Sequence, residues 1–277
     1  MTTLKVTNKI ATFVHYVNSK GGGGRRGVIK TFSTASFRRL RKLVLSLVSQ
    51  PTLFITLTYP EFFPTARISK RHLDNFFKAL SRFAPDVWAI WKLEPQKRGA
   101  PHFHLLVGGI SLLSKRDFDI FKEWLTRTWF RVVGSGDKKH LKAGTQVVNL
   151  EYEQKKGQNI DLVILYVSKY FSKPVESIEG WDSPGRFWGI HNRKALEIKE
   201  HVFTVSENFF FKYRRLMRAK IYRYLKLKGV KVRKNQIFKY NYNCIFNDLK
   251  SYLWFLLRLA HLWGESINYC FTKQRGV

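Results

Sequence analysis

The chain has 277 residues and a formal net charge of +31 at pH 7, with 50 Lys and Arg against 19 Asp and Glu. This balance favours a polyanionic partner, although it selects no reaction by itself. The apolar fraction of 44% is enough for a hydrophobic core, and the length allows one large domain or a catalytic domain with an appendage. Only Cys244 and Cys270 are present, which excludes a disulfide framework and a cysteine zinc module.

The sequence gives no clear indication of a membrane or secretion signal. No clean apolar region follows the first five residues, Met1 to Lys5, so we expect no secretory signal. The most apolar tract, Tyr252 to Trp263, contains Arg258 and His261 and is too short to span a bilayer. We therefore expect a cytoplasmic protein without a membrane partner.

The first elements of the chain are basic or apolar. A strand is predicted over Ile10 to Val17, and the four glycines before Arg25 and Arg26 predict a flexible basic loop. No Gly-Lys-Ser/Thr follows this loop, which argues against a phosphate-binding P-loop and a built-in helicase motor. Ser36 to Val48 has the spacing of a basic amphipathic helix, and Thr52 to Thr58 that of a buried strand.

Helices and strands alternate in the middle of the chain. Ser69 and Ser114 are the predicted N-caps of two amphipathic helices, and Gln146 to Glu151 is a predicted strand. The apolar stripe of the first helix consists of Leu73, Phe76, Phe77, Leu80 and Phe83. Helices between strands with hairpin connections predict an α+β fold, in which a central antiparallel sheet is backed by helices.

The segment from Glu94 to His104 contains the most informative pattern. His102 and His104 are one residue apart in a predicted strand, so their side chains point to the same face. The preceding strand is predicted at Val87 to Leu93, and a turn at Gly99 to Pro101 brings the Glu94 carboxylate beside both imidazoles. Two imidazoles and a carboxylate suit a divalent ion that takes part in chemistry, so Glu94, His102 and His104 are the predicted metal ligands.

Other interpretations of this hairpin remain open. A His-x-His pair in a strand is often only polar surface. A slip of the hairpin register by one residue would turn Glu94 to the opposite face.

A second pattern lies at Leu162 to Lys173. Its spacing is helical, and residues four apart are neighbours about 6 Å along a helix axis, so Tyr166 and Tyr170 share a face. Each tyrosine precedes a lysine by three residues, Lys169 and Lys173. A nearby cation can favour the phenolate and make tyrosine a nucleophile. The alternative is an amphipathic helix with aromatic packing and a solvated lysine edge.

Together these segments resemble the HUH endonuclease superfamily, specifically the rolling-circle replication initiators of small circular phages and plasmids. The motifs that carry the resemblance span roughly residues 52 to 175. They are the Thr-rich strand end from Phe54 to Tyr59, the His102-Phe103-His104 triplet with upstream Glu94, and the tyrosine helix. The doubled tyrosine is similar to the two-tyrosine initiators of single-stranded DNA phages.

The resemblance implies a ferredoxin-like or RNA-recognition-like sheet with Mg²⁺ or Mn²⁺ on its open face. It implies a single-strand DNA endonuclease and strand transferase with Tyr166 and Tyr170 as nucleophiles, assisted by Lys169 and Lys173. The reaction would leave a 5′-phosphotyrosine and a 3′-hydroxyl that primes rolling-circle replication, and it would need no nucleotide cofactor. The implied partners are single-stranded origin DNA and a host helicase and DNA polymerase.

Three segments are predicted along the chain: an N-terminal basic segment over 1–50 packed on the catalytic domain, an HUH endonuclease domain over 51–200, and a basic helical extension over 201–277. From Phe209 onwards the chain is predicted to be helical and very basic, a solvated face or one that follows a DNA backbone. The Gly185 to Ile190 segment is either a loop over DNA or a packed turn. The predicted DNA-binding residues are Arg25, Arg26, Lys97, Arg98 and Arg186.

Two alternative functions follow from the same residues. An HUH transposase or mobilisation relaxase would use the same chemistry for DNA transfer, although Glu94 and the paired tyrosines fit these classes less well. A non-catalytic nucleic-acid-binding protein would stack bases on its aromatic residues and bind no metal at His102 and His104.

Overall fold

The computed structural model describes residues 2–15, 27–112, 114–155, 171, 175, 184–231 and 244–276. These residues contain seven α-helices and two five-stranded sheets, which confirms the predicted α+β class. Two compact units are present. Residues 24–44, 49–197 and 276–277 form one, called the central unit, and residues 1–23, 45–48 and 198–275 form the other, called the terminal unit.

The central unit is built on an antiparallel sheet with the strand order β6-β3-β5-β4-β7. Its first six elements after α1 follow the β-α-β-β-α-β order of ferredoxin-like folds, with α4 before the last strand and β7 added at one edge. In chain order the elements are α1 Thr34–Ser46, β3 Leu53–Leu57, α2 Ala66–Phe83, β4 Trp88–Pro95, β5 Pro101–Gly108, α3 Lys115–Val133, α4 Lys138–Ala143, β6 Thr145–Asn149, α5 Leu150–Lys155 and β7 Trp188–His191.

The terminal unit combines strands from both ends of the chain in a second sheet, with the order β10-β8-β1-β2-β9. Residues of the predicted N-terminal segment and of the predicted C-terminal extension thus share one sheet. The extension also contains three strands that the prediction of a helical segment lacked. The elements are β1 Thr2–Val6, β2 Ile10–His15, β8 Glu197–Val205, α6 Glu207–Leu227, β9 Cys244–Ile245, α7 Leu249–Trp263 and β10 Ile267–Gly276.

The two faces of the central sheet have different neighbours, because side chains alternate along each strand. On one face, called the helix face, the Phe77 ring of α2 stacks on His191 with centroids 4.4 Å apart. The other face, called the site face, carries Glu94, His102 and His104, and the Trp188 indole on this face donates a hydrogen bond to Ser36 of α1 (2.9 Å).

The helix starts agree only in part with the prediction. Ser114 caps α3 in a capping box with Asp117, as predicted. Ser69 does not cap α2, because the helix begins one turn earlier, where the Thr65 hydroxyl accepts from the Ile68 amide at 3.4 Å. Ser69 instead lies inside the helix and donates to the Ala66 carbonyl (2.8 Å). No helix among the described residues is long and apolar enough to cross a membrane.

A three-residue loop joins β4 to β5. The Gly99 amide donates to the Gln96 carbonyl (2.9 Å), and the Gln96 amide donates to the Ala100 carbonyl (2.9 Å). Gly99 has a φ of +80°, so the loop has the form of a tight turn followed by a left-handed glycine, which is common in hairpins. The turn thus lies slightly before the predicted Gly99 to Pro101 position, and it sets the register of the two strands.

Two left-handed glycines of this hairpin provide a matched test of its geometry. A Cβ at Gly109 would lie 2.2 Å from the Asp86 carbonyl oxygen, whereas a Cβ at Gly99 would meet no atom within 4 Å. We expect Gly99→Ala to cost about 1–2 kcal/mol of unfolding free energy for the left-handed backbone alone. Gly109→Ala should cost about 3 kcal/mol or more, because the backbone of residues 86–87 has to move. Urea unfolding measures both, and equal losses would contradict this close approach.

Candidate active site

The register of β4 and β5 brings the predicted ligands to one face of the sheet. Glu94 lies directly opposite His102, and Lys92 lies directly opposite His104. Residues directly opposite on antiparallel strands point to the same face, as do residues two apart along a strand. Glu94, His102 and His104 therefore lie together on the site face, and the slip that would have turned Glu94 away does not occur.

The two imidazoles are held by neighbouring polar side chains. Their ring centroids are 4.5 Å apart, with the planes 78° from parallel. Nδ1 of His104 lies 3.3 Å from the Thr56 hydroxyl, and Nδ1 of His102 lies 3.3 Å from the Gln96 amide nitrogen. A hydrogen bond at one ring nitrogen fixes the orientation in which the other nitrogen is presented, as is usual for histidines that bind metals.

The Glu94 carboxylate lies between two nitrogen groups. Its Oε2 is 3.3 Å from Nε2 of His104, and its Oε1 contacts the Lys92 ammonium. Burial alone would raise the pKa of Glu94, but the hydrogen bond with His104 and the charge of Lys92 outweigh it. The pKa of Glu94 therefore lies below its ordinary value, and the carboxylate is ionised at neutral pH.

Lys92 is a site residue that the sequence analysis missed. Its side chain is fully buried, and its ammonium contacts Glu94 and lies 4.8 Å from the centre of the Phe32 ring. Lys92 was included only as part of an apolar strand. The signal was nevertheless present, because a residue two before Glu94 in a strand shares its face. The cluster is thus a buried group of cation, carboxylate and imidazoles.

The donor chemistry of this cluster fits a divalent ion, since two imidazoles and an ionised carboxylate share one face and each imidazole has a supporting polar group. The present arrangement is nevertheless not a ready cage. Within the described ranges, no group of three or more His, Cys, Asp and Glu side chains is arranged to hold a metal ion. The reason lies in Glu94, whose two oxygens are directed at His104 and Lys92. Metal ligation by Glu94, His102 and His104 therefore remains a prediction.

The Thr-rich motif contributes to the site through Thr56, while its tyrosine is structural. The Tyr59 hydroxyl lies 3.2 Å from Nδ1 of His72, and the ring packs edge-on against Trp129. Burial raises the pKa of Tyr59 far above its ordinary value, so this phenol stays protonated. Tyr59 is therefore not a nucleophile, and its role is to hold the segment after β3 against α2 and α3.

The three described candidates for DNA contacts differ in their surroundings. The Arg98 guanidinium donates to the carbonyls of Tyr59 and Pro60, both at 2.6 Å, and thereby attaches the β4–β5 turn to the segment after β3. Lys97 and Arg186 have exposed side chains. A DNA contact by Arg98 thus competes with bonds that stabilise the hairpin, whereas Lys97 and Arg186 are accessible. For all three, DNA binding stays a prediction.

The remaining predicted site residues lie outside the described residues. They are the nucleophile candidates Tyr166 and Tyr170, the lysines Lys169 and Lys173, and the loop residues Arg25 and Arg26.

One comparison with known proteins gives a match. Residues 52–175 match the family model described as Replication-associated protein ORF2. The matched segment begins just before β3, contains the Glu94, His102 and His104 cluster, and covers somewhat less than half of the chain. The match supports a replication-initiator family, and it extends over the residues whose motifs carry the resemblance. No curated protein and no solved structure matches the chain.

The buried ion pair gives a testable consequence for stability. We expect Lys92→Met to lower the free energy of unfolding by about 3 kcal/mol, because it leaves the buried Glu94 carboxylate without its cation. Urea unfolding followed by circular dichroism measures this loss.

The double variant Lys92→Met, Glu94→Met is the matched control. It removes both charges and puts apolar side chains of similar length in their place, so we expect most of the lost stability to return. A single variant as stable as the wild type, or a double variant less stable than the single one, would show that the pair is not buried as described.

Proposed function

We propose that this protein is a replication initiator that nicks single-stranded origin DNA by tyrosine transesterification. The observation that carries the proposal is the convergence of Glu94, His102 and His104 on one sheet face, within a segment that matches a replication-associated family. This donor set suits a reaction at a phosphate, because a divalent ion bound there would polarise the scissile phosphodiester.

The chain's own residues then have distinct tasks. Glu94, His102 and His104 bind the ion, and Thr56 and Gln96 orient the imidazoles through their Nδ1 atoms. Lys92 keeps the Glu94 carboxylate ionised and in place on the sheet. Lys97 and Arg186 contact the phosphates on either side of the nicked bond.

The covalent step is assigned to Tyr166. Its phenolic oxygen attacks the phosphorus, a new oxygen–phosphorus bond forms to the tyrosine, and the bond from phosphorus to the 3′ oxygen breaks. The phenolic proton leaves with help from Lys169, and the released 3′ oxygen gains a proton to become a hydroxyl. One phosphate ester replaces another, so no nucleotide cofactor is needed.

The second tyrosine allows the reaction to close. After one round of synthesis Tyr170, assisted by Lys173, attacks the regenerated origin, and the 3′-hydroxyl formed there displaces Tyr166 to rejoin the strand. The free 3′-hydroxyl between these events is the primer for a host polymerase, with a host helicase to unwind the duplex.

The direct experiment is to incubate the purified protein with labelled single-stranded origin DNA and Mn²⁺, followed by denaturing gel electrophoresis. We expect a protein-linked band that needs the metal. Tyr166→Phe, Tyr170→Phe and the double variant are run beside it, and the double variant should give no band. Binding without a covalent band on several candidate origins would instead support a nucleic-acid-binding protein without nuclease activity.

The ligand residues give a separate prediction. We expect His102→Ala to lower cleavage by at least about a hundredfold while most DNA affinity stays, because phosphate contacts supply that affinity. Glu94→Ala should have a weaker defect that high Mn²⁺ partly restores. The measurements are the rate of cleavage at several Mn²⁺ concentrations and the dissociation constant for the same oligonucleotide.

Phe54→Leu is a suitable control for these variants, because Phe54 stacks on His104 without offering it a donor atom. Its cleavage should keep the wild-type dependence on Mn²⁺ concentration. Unchanged nicking in His102→Ala would remove this histidine from the active site, and full activity of Glu94→Ala without added metal would remove Glu94.

A further inference from the structure

Helix α6 of the terminal unit, Glu207–Leu227, lies outside the segment that matches a known family. The sequence has no Asp or Glu from residue 208 to residue 247, so every charge along the helix after Glu207 is positive. A single helix with this composition would be unstable alone through like-charge repulsion, and it must gain its stability from packing.

One side of α6 supplies that packing. Phe209 and Tyr213 are fully buried in a core that also contains Leu4, Val205 and Leu256. Two of the helix cations are also used here.

These two cations lie toward α7 and the segment after it. Lys212 donates to a Glu265 carboxylate oxygen (3.1 Å) and to the Trp263 carbonyl (3.3 Å), and the Lys220 ammonium lies 5.0 Å from the centre of the Phe255 ring. They have partners within the terminal unit and are not available to a ligand without loss of packing.

The opposite side of α6 carries four other cations. Arg214, Arg215, Arg218 and Lys226 lie within one outward-facing stripe at helical spacing, and we call them the basic stripe. Arg215 and Lys226 are exposed, and Arg214 and Arg218 are partly exposed. The stripe spans twelve residues, which is about 18 Å along the helix axis.

The guanidinium of Arg214 is held in a defined position. It lies 4.8 Å from the centre of the Phe211 ring and 5.5 Å from that of Phe210. Stacking on aromatic rings restrains an arginine and leaves its N–H edge directed outward, so binding to an anion costs less side-chain entropy. It also covers a face of the exposed Phe211 ring, which is then less suited to stack on a base.

We propose that the basic stripe of α6 binds the phosphate backbone of duplex DNA. A rigid row of cations matches a rigid row of phosphates, and duplex DNA presents one charge about every 1.7 Å along its axis. A single strand would have to be ordered before it could follow the same row, which costs conformational entropy. The proposal rests on the proposed function only in taking DNA as the partner, and it adds a duplex-binding surface in the terminal unit to the single-strand site of the central unit.

An anionic membrane is the other partner that a basic helix can attract. Membrane-surface helices insert an apolar face opposite the charged one. In α6 that face is already buried in the core of the terminal unit by Phe209 and Tyr213. The observations therefore favour the duplex, and vesicles serve as the competing arm of the test.

The test is fluorescence anisotropy with a labelled duplex of arbitrary sequence, the same sequence as a single strand, and flotation with phosphatidylserine vesicles. The variant Arg214→Gln, Arg215→Gln, Arg218→Gln removes three stripe charges. A second variant, Arg215→Gln, Arg218→Gln, Lys226→Gln, leaves the stacked Arg214 in place. The matched control is Lys115→Gln, Arg116→Gln, Lys122→Gln, which removes three exposed charges from α3 of the central unit.

We expect both stripe variants to bind the duplex at least about tenfold more weakly than the wild type, with a less steep dependence on salt, because each lost phosphate contact lowers the slope by about 0.9. The control should stay within about twofold of the wild type. Duplex affinity that is unchanged in both stripe variants, or lowered equally in the control, would overturn the proposal. A larger loss for the single strand or for vesicles than for the duplex would also overturn it.

Cleavage of a short single-stranded origin oligonucleotide by the wild-type protein is measured in parallel. Absence of that cleavage would count against the proposed function and would leave the duplex result standing. The two proposals therefore fail separately.

Discussion

Between β4 and β5, the pairing of Glu94 with His102 decides which side chains meet on the central sheet. The three-residue loop with its left-handed Gly99 sets this pairing, and Arg98 holds the loop to the segment after β3. Because side chains alternate, one register gathers Lys92, Glu94, His102 and His104 on one face and puts Leu93, Phe103 and Leu105 on the other. The chemistry and the core of the central unit thus depend on the same turn.

Positive charge has two different uses in this protein. Lys92 is removed from water, and its charge is balanced by Glu94 within the sheet. Burial makes such a charge expensive unless a carboxylate accompanies it, so the pair fixes the carboxylate in an ionised state. On α6 the cations instead lie at the surface, where water lowers their mutual repulsion and a polyanion can replace the water. The net charge of +31 therefore reflects mainly the surface and says little about the site.

The sequence predicted the ligand-bearing hairpin well because its pattern is local. A period of two along β5 and a short turn determine the face of His102 and His104 without knowledge of the rest of the chain. Lys92 escaped notice because an apolar strand with one lysine suggests an edge position, and only the register reveals its carboxylate partner. The cap of α2 was misplaced because its first turn lacks the apolar spacing that begins at Leu73. The sheet of the terminal unit could not be predicted, since it pairs Leu4 with Phe13 and with Phe203, far apart in the chain.

This pairing has a consequence for the order in which the protein takes shape during translation. All strands of the central sheet lie between residues 53 and 191, so this sheet can form while the rest of the chain is still being made. The β1–β2 hairpin is synthesised first, yet its neighbour β8 and the covering helices α6 and α7 are synthesised last. A lone hairpin is marginally stable in water, so Leu4, Val6 and Ala11 wait without their final neighbours until α7 has left the ribosome. The part of the protein that is translated first is thus among the last to fold.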